Sequence, residues 1–170
     1  LIEKTIAKAV RNTLIWGFLD RTLLRLARQV EWQKEQSTGQ GRRRQYADAI
    51  SEVCADPTVK HGIFQGMKYP EARASGSALC PKLIGCYEIE LLPFLDQVLK
   101  RGYTEIVDIG CAEGYYAVGL AMRLPSTKVY AFDTNDEAID LCRKMAKVNG
   151  VGQRVQTGGF CDASTLRQIP

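Results

Sequence analysis

The sequence is short of several things, and each shortage removes a class of function. It has one histidine, His61, and none of its six cysteines (54, 80, 86, 111, 142 and 161) forms a Cys-x-x-Cys pair. The usual zinc spacings are therefore missing, and no metal site is expected. No run of about 18 uncharged apolar residues occurs, so no membrane-spanning helix is expected. The first residues are apolar in places, but Lys4, Lys8, Arg11, Asp20, Arg21, Arg25 and Arg28 interrupt them too often for a signal-peptide core. The Gly-x-Gly-x-x-Gly of a dinucleotide turn is also absent. Net charge is a modest +4, and all of it comes from residues 1–60, where Lys plus Arg outnumber Asp plus Glu by 11 to 7. That excess leaves nucleic acid open as a partner without favouring it. Most of the cysteines fall in stretches that read as core or helix, so they are expected to be reduced thiols of a cytoplasmic protein.

What is present falls into three parts: 1–60, 61–102 and 103–170. In the first, Ile2, Ile6, Val10, Leu14 and Phe18 recur every four residues, and Leu23, Leu24, Ala27 and Val30 continue at helical spacing. This predicts one long amphipathic helix, or two with a bend near Gly17. "STGQGRRRQ" (37–45) has no apolar residue and reads as a basic linker, with a short helix over 46–55 that stops before Pro57. From His61 to Pro81 the chain is rich in Gly, Ser and Pro and reads as irregular. A lead-in helix is predicted from about 86 to 100, with Pro93 marking a kink or restart.

After Gly102 the pattern alternates. "TEIVDIG" and "TKVYAFD" read as buried strands, and "QRVQTGGFC" as a third. "GYYAVGLAMRL" and "TNDEAIDLCRKMAKVNG" read as helices, the second with Thr134 and Glu137 as a capping-box pair and Asn149-Gly150 as its stop. Strand, helix, strand, helix, strand is the βαβ pattern of a parallel sheet with right-handed crossovers.

In such a sheet, ligands sit beyond the carboxyl ends of the strands. The turn after the first strand is "DIGCAEG", with Asp108 two residues before Gly110. An acid there repels a diphosphate but suits an ammonium or sulfonium group. Asp133, at the end of the second strand, is placed to accept hydrogen bonds from ribose hydroxyls. Together the two acids describe a site for a nucleoside with a cationic tail. S-adenosylmethionine fits that description, and NAD and ATP fit it less well. Each residue also has a plainer reading: Asp108 as a strand-end cap, Asp133 as an acid at a helix N-terminus, Cys111 as a small residue in a tight turn, Glu113 as a solvated acid, Tyr115 and Tyr116 as packing residues.

Over about residues 85–165 the stretches "IVDIGCAEGYYAVGLA", "KVYAFDTNDEAIDLCRKMAKVNGV" and "GGFCD" resemble the first half of a class I S-adenosylmethionine-dependent methyltransferase. "DIGCAEGYY" is similar to the FkbM-type branch. The resemblance implies an α/β, Rossmann-like parallel sheet, apparently truncated after the third strand and preceded by an α-helical region. It implies that Asp108 approaches the cofactor's amino group, that the turn Gly110, Cys111, Ala112, Glu113, Gly114 and Tyr115 passes beneath the cofactor, and that Asp133 holds the ribose. Thr134 would pack beside the adenine, Cys161 and Asp162 would border it, and Glu88 would reach the methionine end. Ala112 stands where many relatives have glycine.

The residues that choose the methyl acceptor are expected beyond residue 170, so no catalytic residue is assigned. Leu1 in place of Met likewise suggests that something precedes it. The resemblance tilts the acceptor toward an oxygen of a sugar or small metabolite. RNA, or a non-catalytic nucleotide-binding or interaction module, remains the alternative. With three strands in spatial order 3-2-1, the first strand is expected to lie at an edge that is unpaired, or covered by a missing half or another subunit.

Overall fold

The structure is a computed structural model that describes residues 29–30 and 42–169. The chain divides into two units, 1–49 and 50–170. The helices expected before residue 29 and the Gly-rich part of the linker lie outside the described residues. Residues 42–55 are helical (α1), which corrects the linker reading for Arg42, Arg43 and Arg44. The helix-weakening Gly39 and Gly41 both precede this stretch, and arginine is a good helix former. Among the described residues, no helix is long and apolar enough to cross a membrane.

The second unit is built on three parallel strands, β1 (Glu105–Ile109), β2 (Lys128–Phe132) and β3 (Val155–Gly158), in the order β1-β2-β3. Helices α4 (Tyr115–Arg123) and α5 (Asp136–Val148) make the crossovers. The register sets Asp108 beside Ala131 and Ile109 beside Phe132. This is the expected βαβαβ unit, with β1 at an edge that has no second partner among the described residues. The expectation that β1 is buried on both faces is not met. β2 is the central strand and its apolar residues are buried, whereas Val107 is 39% and Ile109 62% exposed. Among the described residues β1 has a neighbour on one side only.

The Gly/Ser/Pro-rich region is irregular, as read, apart from one antiparallel bridge between Thr58 and Lys68. It still supplies much of the core. Val59, Phe64, Met67, Tyr69 and Leu83 are buried in one cluster with Ala117, Val118, Ala121 and Met145. Asn149, just past α5, fastens this region. Its side-chain oxygen accepts from the Lys68 N–H (2.8 Å) and its amide donates to the Lys68 carbonyl (2.7 Å).

Three element boundaries differ from the sequence reading. A short helix, α2 (Leu79–Ile84), ends at Gly85 in the left-handed region, where a Cβ would collide with the His61 carbonyl. The helix expected from residue 86 begins instead at Leu92 (α3, Leu92–Arg101), after a 3-10 turn at Ile89–Leu91. Pro93 then falls in its first turn, where a missing N–H costs nothing. Finally, α5 is capped by Asn135, not Thr134. The Asn135 side chain accepts from the N–H groups of Glu137 (3.0 Å) and Ala138 (3.4 Å).

Gly119 in α4 lies under the Phe64 ring, and a Cβ there would come within 2.6 Å of ring atoms. Alanine gains about 1 kcal/mol of helix propensity over glycine, but overpacking a full core costs about 1–3 kcal/mol. The buried Phe64 has little room to move, so the second effect wins. Gly119→Ala should lower unfolding free energy by up to about 2 kcal/mol in urea titrations. A stabilised variant would refute this packing.

Candidate functional site

The loop between β1 and α4 is shaped by three residues in the left-handed region: Gly110 (φ 82), Ala112 (φ 49) and Gly114 (φ 93). The N–H groups of Gly110 and Cys111 both donate to the Phe132 carbonyl, at 2.8 and 3.0 Å. Gly114 is needed for space as well as for its φ, since a Cβ would sit 2.6 Å from Cys142 Sγ. Alanine at positive φ costs about 1 kcal/mol. Here a charge-assisted bond offsets that cost: the Ala112 N–H donates to Asp133 Oδ2 at 2.9 Å. Asp133 Oδ1 accepts from the Asn135 N–H at 2.9 Å. One carboxylate thus ties the loop after β1 to the end of β2 and the start of α5.

Two hollows flank Ile109 and Gly110 along the carboxyl ends of the strands. The larger, of ≈ 460 Å³, is bordered by Ser75, Gly76, Ser77, Lys82, Tyr87, Glu88, Asp108, Cys111, Ala112, Tyr115 and Tyr116. The smaller, of ≈ 200 Å³, is bordered by Phe132, Asp133, Thr134, Gly159, Phe160 and Cys161.

Asp108 reaches the larger hollow from the end of β1. Its Oδ2 is buried and has no hydrogen-bond partner among the described residues. Burial pushes the carboxyl up to about 6, and the charge of Asp133 adds to this. Glu88 borders the same hollow with its backbone in the left-handed region (φ 47), and it accepts from the Tyr116 hydroxyl at 2.5 Å. Burial raises the Tyr116 phenol, and the Glu88 bond raises it further. Tyr115 is pushed up to about 12, chiefly by burial, and packs edge-on against Phe64 at 5.2 Å between ring centroids.

Glu113 is not the solvated acid expected. It is 0% exposed and lies outside the borders of both hollows. Its Oε1 meets Lys82 Nζ at 2.5 Å and accepts from the Tyr69 hydroxyl at 3.2 Å, and its Oε2 accepts from the Ser75 N–H at 3.0 Å. The partners lie 31 to 44 residues away, beyond the reach of any local pattern. The Lys82 ammonium also lies over the rings of Tyr87 (4.7 Å) and Tyr115 (5.4 Å).

Asp162 serves a local role through its Oδ1. It is the N-cap of α6 (Ala163–Leu166), accepting from the Thr165 N–H (2.8 Å) and the Ser164 hydroxyl (2.7 Å), and it borders neither hollow. The bond from Ser164, then those from Thr165, hold it down at about 2. The structure therefore brings together Asp108, Gly110, Cys111, Ala112, Tyr115 and Glu88 at one hollow and Asp133, Thr134 and Cys161 at the other. Sequence reasoning missed Lys82, the Ser75–Ser77 turn and Phe160. Among the described residues no cluster fit for a metal ion occurs.

Residues 91–167 match the family model described as the methyltransferase small domain. The matched stretch contains the three parallel strands and the crossover helices α4 and α5. A release factor glutamine methyltransferase from Dictyoglomus turgidum is 38% identical over 61 residues, which are 36% of this chain and 22% of that protein. One from Chlorobaculum tepidum is 38% identical over 61 residues, 36% of this chain and 20% of that protein. The aligned part is thus about a fifth of the length of the curated relatives it matches. Among solved structures, an O-methyltransferase from Bacillus cereus in complex with SAH aligns with a TM-score of 0.39 and 24% identity, over 43% of this chain and 34% of that one.

Two predictions follow from the charges. The folded Asp108 carboxyl titrates near 6 against an ordinary 3.8, so between those values the folded chain binds more protons than the unfolded one. Stability is then highest at low pH and falls as pH rises through this window. Between pH 5 and 7.5 the ligand-free chain should lose about 1–2 kcal/mol relative to Asp108→Asn. Parallel pH profiles of the two proteins in urea titrations would contradict this. Lys82→Met alone leaves Glu113 buried without its cation and should cost about 3–5 kcal/mol. Adding Glu113→Gln should recover most of that loss, as measured by thermal unfolding.

Proposed function

We propose that the chain is the cofactor-binding part of an S-adenosylmethionine-dependent methyltransferase. The observation that carries this reading is the buried, unpartnered Asp108 Oδ2 at the border of the larger hollow. A buried carboxylate with one oxygen unpartnered among the described residues, in a place that raises its pKa, suits a cation, and an ammonium group supplies one. In this reading Asp108 and Glu88 take the amino group of the cofactor. Asp133 keeps lone pairs beyond its two backbone bonds, and these accept the ribose hydroxyls. Thr134, Phe160 and Cys161 border the adenine. Asp162 has no part in it.

When bound, the cofactor supplies an electrophilic methyl group, and the protein's work is to hold and orient it. The left-handed loop from Gly110 to Gly114 lets backbone rather than side chain run beneath it. The half-buried tyrosines Tyr87 and Tyr116 narrow the hollow and limit water. For the acceptor, the likeness of "DIGCAEGYY" to the FkbM-type branch favours an oxygen of a sugar or small metabolite. A second reading, a side-chain amide of a protein, is favoured by the identity to release factor glutamine methyltransferases.

Calorimetry with S-adenosylhomocysteine and with NADH tests the reading. Only the first should bind, and Asp133→Ala should weaken it by about 1.5–3 kcal/mol, the worth of charged hydrogen bonds. Binding of NADH in its place would overturn the reading, and unchanged affinity in the variant would remove the ribose role.

A further inference from the structure

We infer that Asn149, followed by Gly150, is a deamidation site guarded by its own clamp on Lys68, and that conversion there stops the clamp from closing again. This chemistry needs only the chain and water, and it stands apart from the function proposed above.

The sequence holds three asparagines, Asn12, Asn135 and Asn149, and of these Asn149 alone is followed by glycine. In an Asn-Gly pair the glycine nitrogen attacks the side-chain Cγ. A succinimide ring forms, the bond from Cγ to Nδ2 breaks, and Nδ2 leaves as ammonia with the proton of the attacking nitrogen. Water then opens the ring at either carbonyl and gives aspartate or isoaspartate. Glycine favours the attack because no side chain screens its nitrogen and its backbone turns freely. Gly150 is exposed, at φ 71, with no heavy atom within 4 Å of where a Cβ would stand. Water reaches the pair, and nothing hinders the chain there from turning.

The folded chain holds the reaction back. The Asn149 side chain makes three hydrogen bonds: Oδ1 accepts from the Lys68 N–H, and Nδ2 donates to the carbonyls of Lys68 and Met145, at 2.7 and 2.8 Å. The proton of the attacking nitrogen is engaged as well, since the Gly150 N–H donates to the Lys147 carbonyl at 3.1 Å. Asn149 has ψ 5, which turns the Gly150 nitrogen away from its Cγ. The ring closes only after these bonds open and the backbone rotates, so conversion is tied to local opening.

Conversion then works against closure. Both Nδ2 donors are lost, and a carboxylate oxygen takes their place opposite two carbonyl oxygens. In isoaspartate the main chain also runs through the side chain and gains a methylene, just before the bond from the Val151 N–H to the Ala146 carbonyl that closes the end of α5. Lys68 stands between Met67 and Tyr69, both buried in the core, and the Tyr69 hydroxyl donates to Glu113. Loss of the clamp therefore loosens the irregular region at the point where it is fastened, and the change is covalent and one-way.

The test follows each asparagine by peptide mass spectrometry while the full chain stands at mildly alkaline pH, folded in one sample and unfolded in urea in another. In the folded chain Asn149 should convert ahead of Asn135, at a rate about tenfold or more below that in urea. Equal rates in the two samples overturn the guarding role. A folded chain that keeps Asn149 intact, or converts Asn135 first, overturns the site. The converted chain, separated by its added negative charge, is then compared with fresh chain by hydrogen exchange. The Lys68 and Tyr69 N–H groups should exchange about tenfold or more faster after conversion, and unchanged exchange there overturns the failure of the clamp to close. Asn149→Asp, which brings the charge without the added methylene, should speed exchange at the same two groups. Protection equal to that of the fresh chain in this variant as well as in the converted chain overturns the role of Nδ2.

Discussion

The buried pair of Lys82 and Glu113 is the contact on which the rest of the site depends. Glu113 belongs to the loop after β1, and its carboxylate is fully buried. Every group that satisfies it comes from the irregular region before the sheet: Lys82 from α2, Tyr69 and Ser75 from the stretch leading to it. Desolvating two charges costs several kcal/mol each, so such a pair does little for stability over an apolar one. What it supplies is registration. A Gly- and Ser-rich stretch with few elements of its own is held at one place on the loop, and the wall of the larger hollow takes its form from that placement.

The two acids at the strand ends divide the work by environment rather than by chemistry. Asp133 is satisfied by two backbone N–H groups and builds the loop. Asp108 has a buried oxygen with no donor to it among the described residues. The same residue type is structural in one place and receptive in the other because the left-handed Ala112 turns its N–H toward Asp133. Asp133 also raises Asp108 through its charge, so the builder of the loop sharpens the demand of its neighbour for a cation.

This division explains what was legible in the sequence. The strands, crossovers and turn glycines were readable because they rest on local periodicity and on φ values that few residues adopt. Asp108 and Asp133 were readable because strand ends converge in a parallel sheet. Errors arose where a short-range choice had two near-equal answers: Asn135 over Thr134 as a cap, a start at Leu92 instead of residue 86, helix instead of linker at Arg42. The cap role of Asp162 was not read, although the sequence after it, Ala163-Ser164-Thr165, gives its Oδ1 three local donors. Glu113 and Lys82 were illegible for a different reason. Their partnership spans 31 residues of sequence, and nothing in either local pattern announces a buried charge.

The edge position of β1 bears on the same site. Asp108 sits on the strand with one neighbour, between the exposed Val107 and Ile109, yet its own Oδ2 is buried. The alternation of a strand therefore separates the exposed Val107 and Ile109 from an acid that borders the larger hollow. Burial of that acid disfavours its ionised form in the ligand-free chain, and a bound cation removes the penalty. Folding and binding are thus linked through one carboxyl group: the site is less stable at neutral pH without a ligand than its packing alone would make it, and the difference is available to favour a cationic ligand over a neutral one.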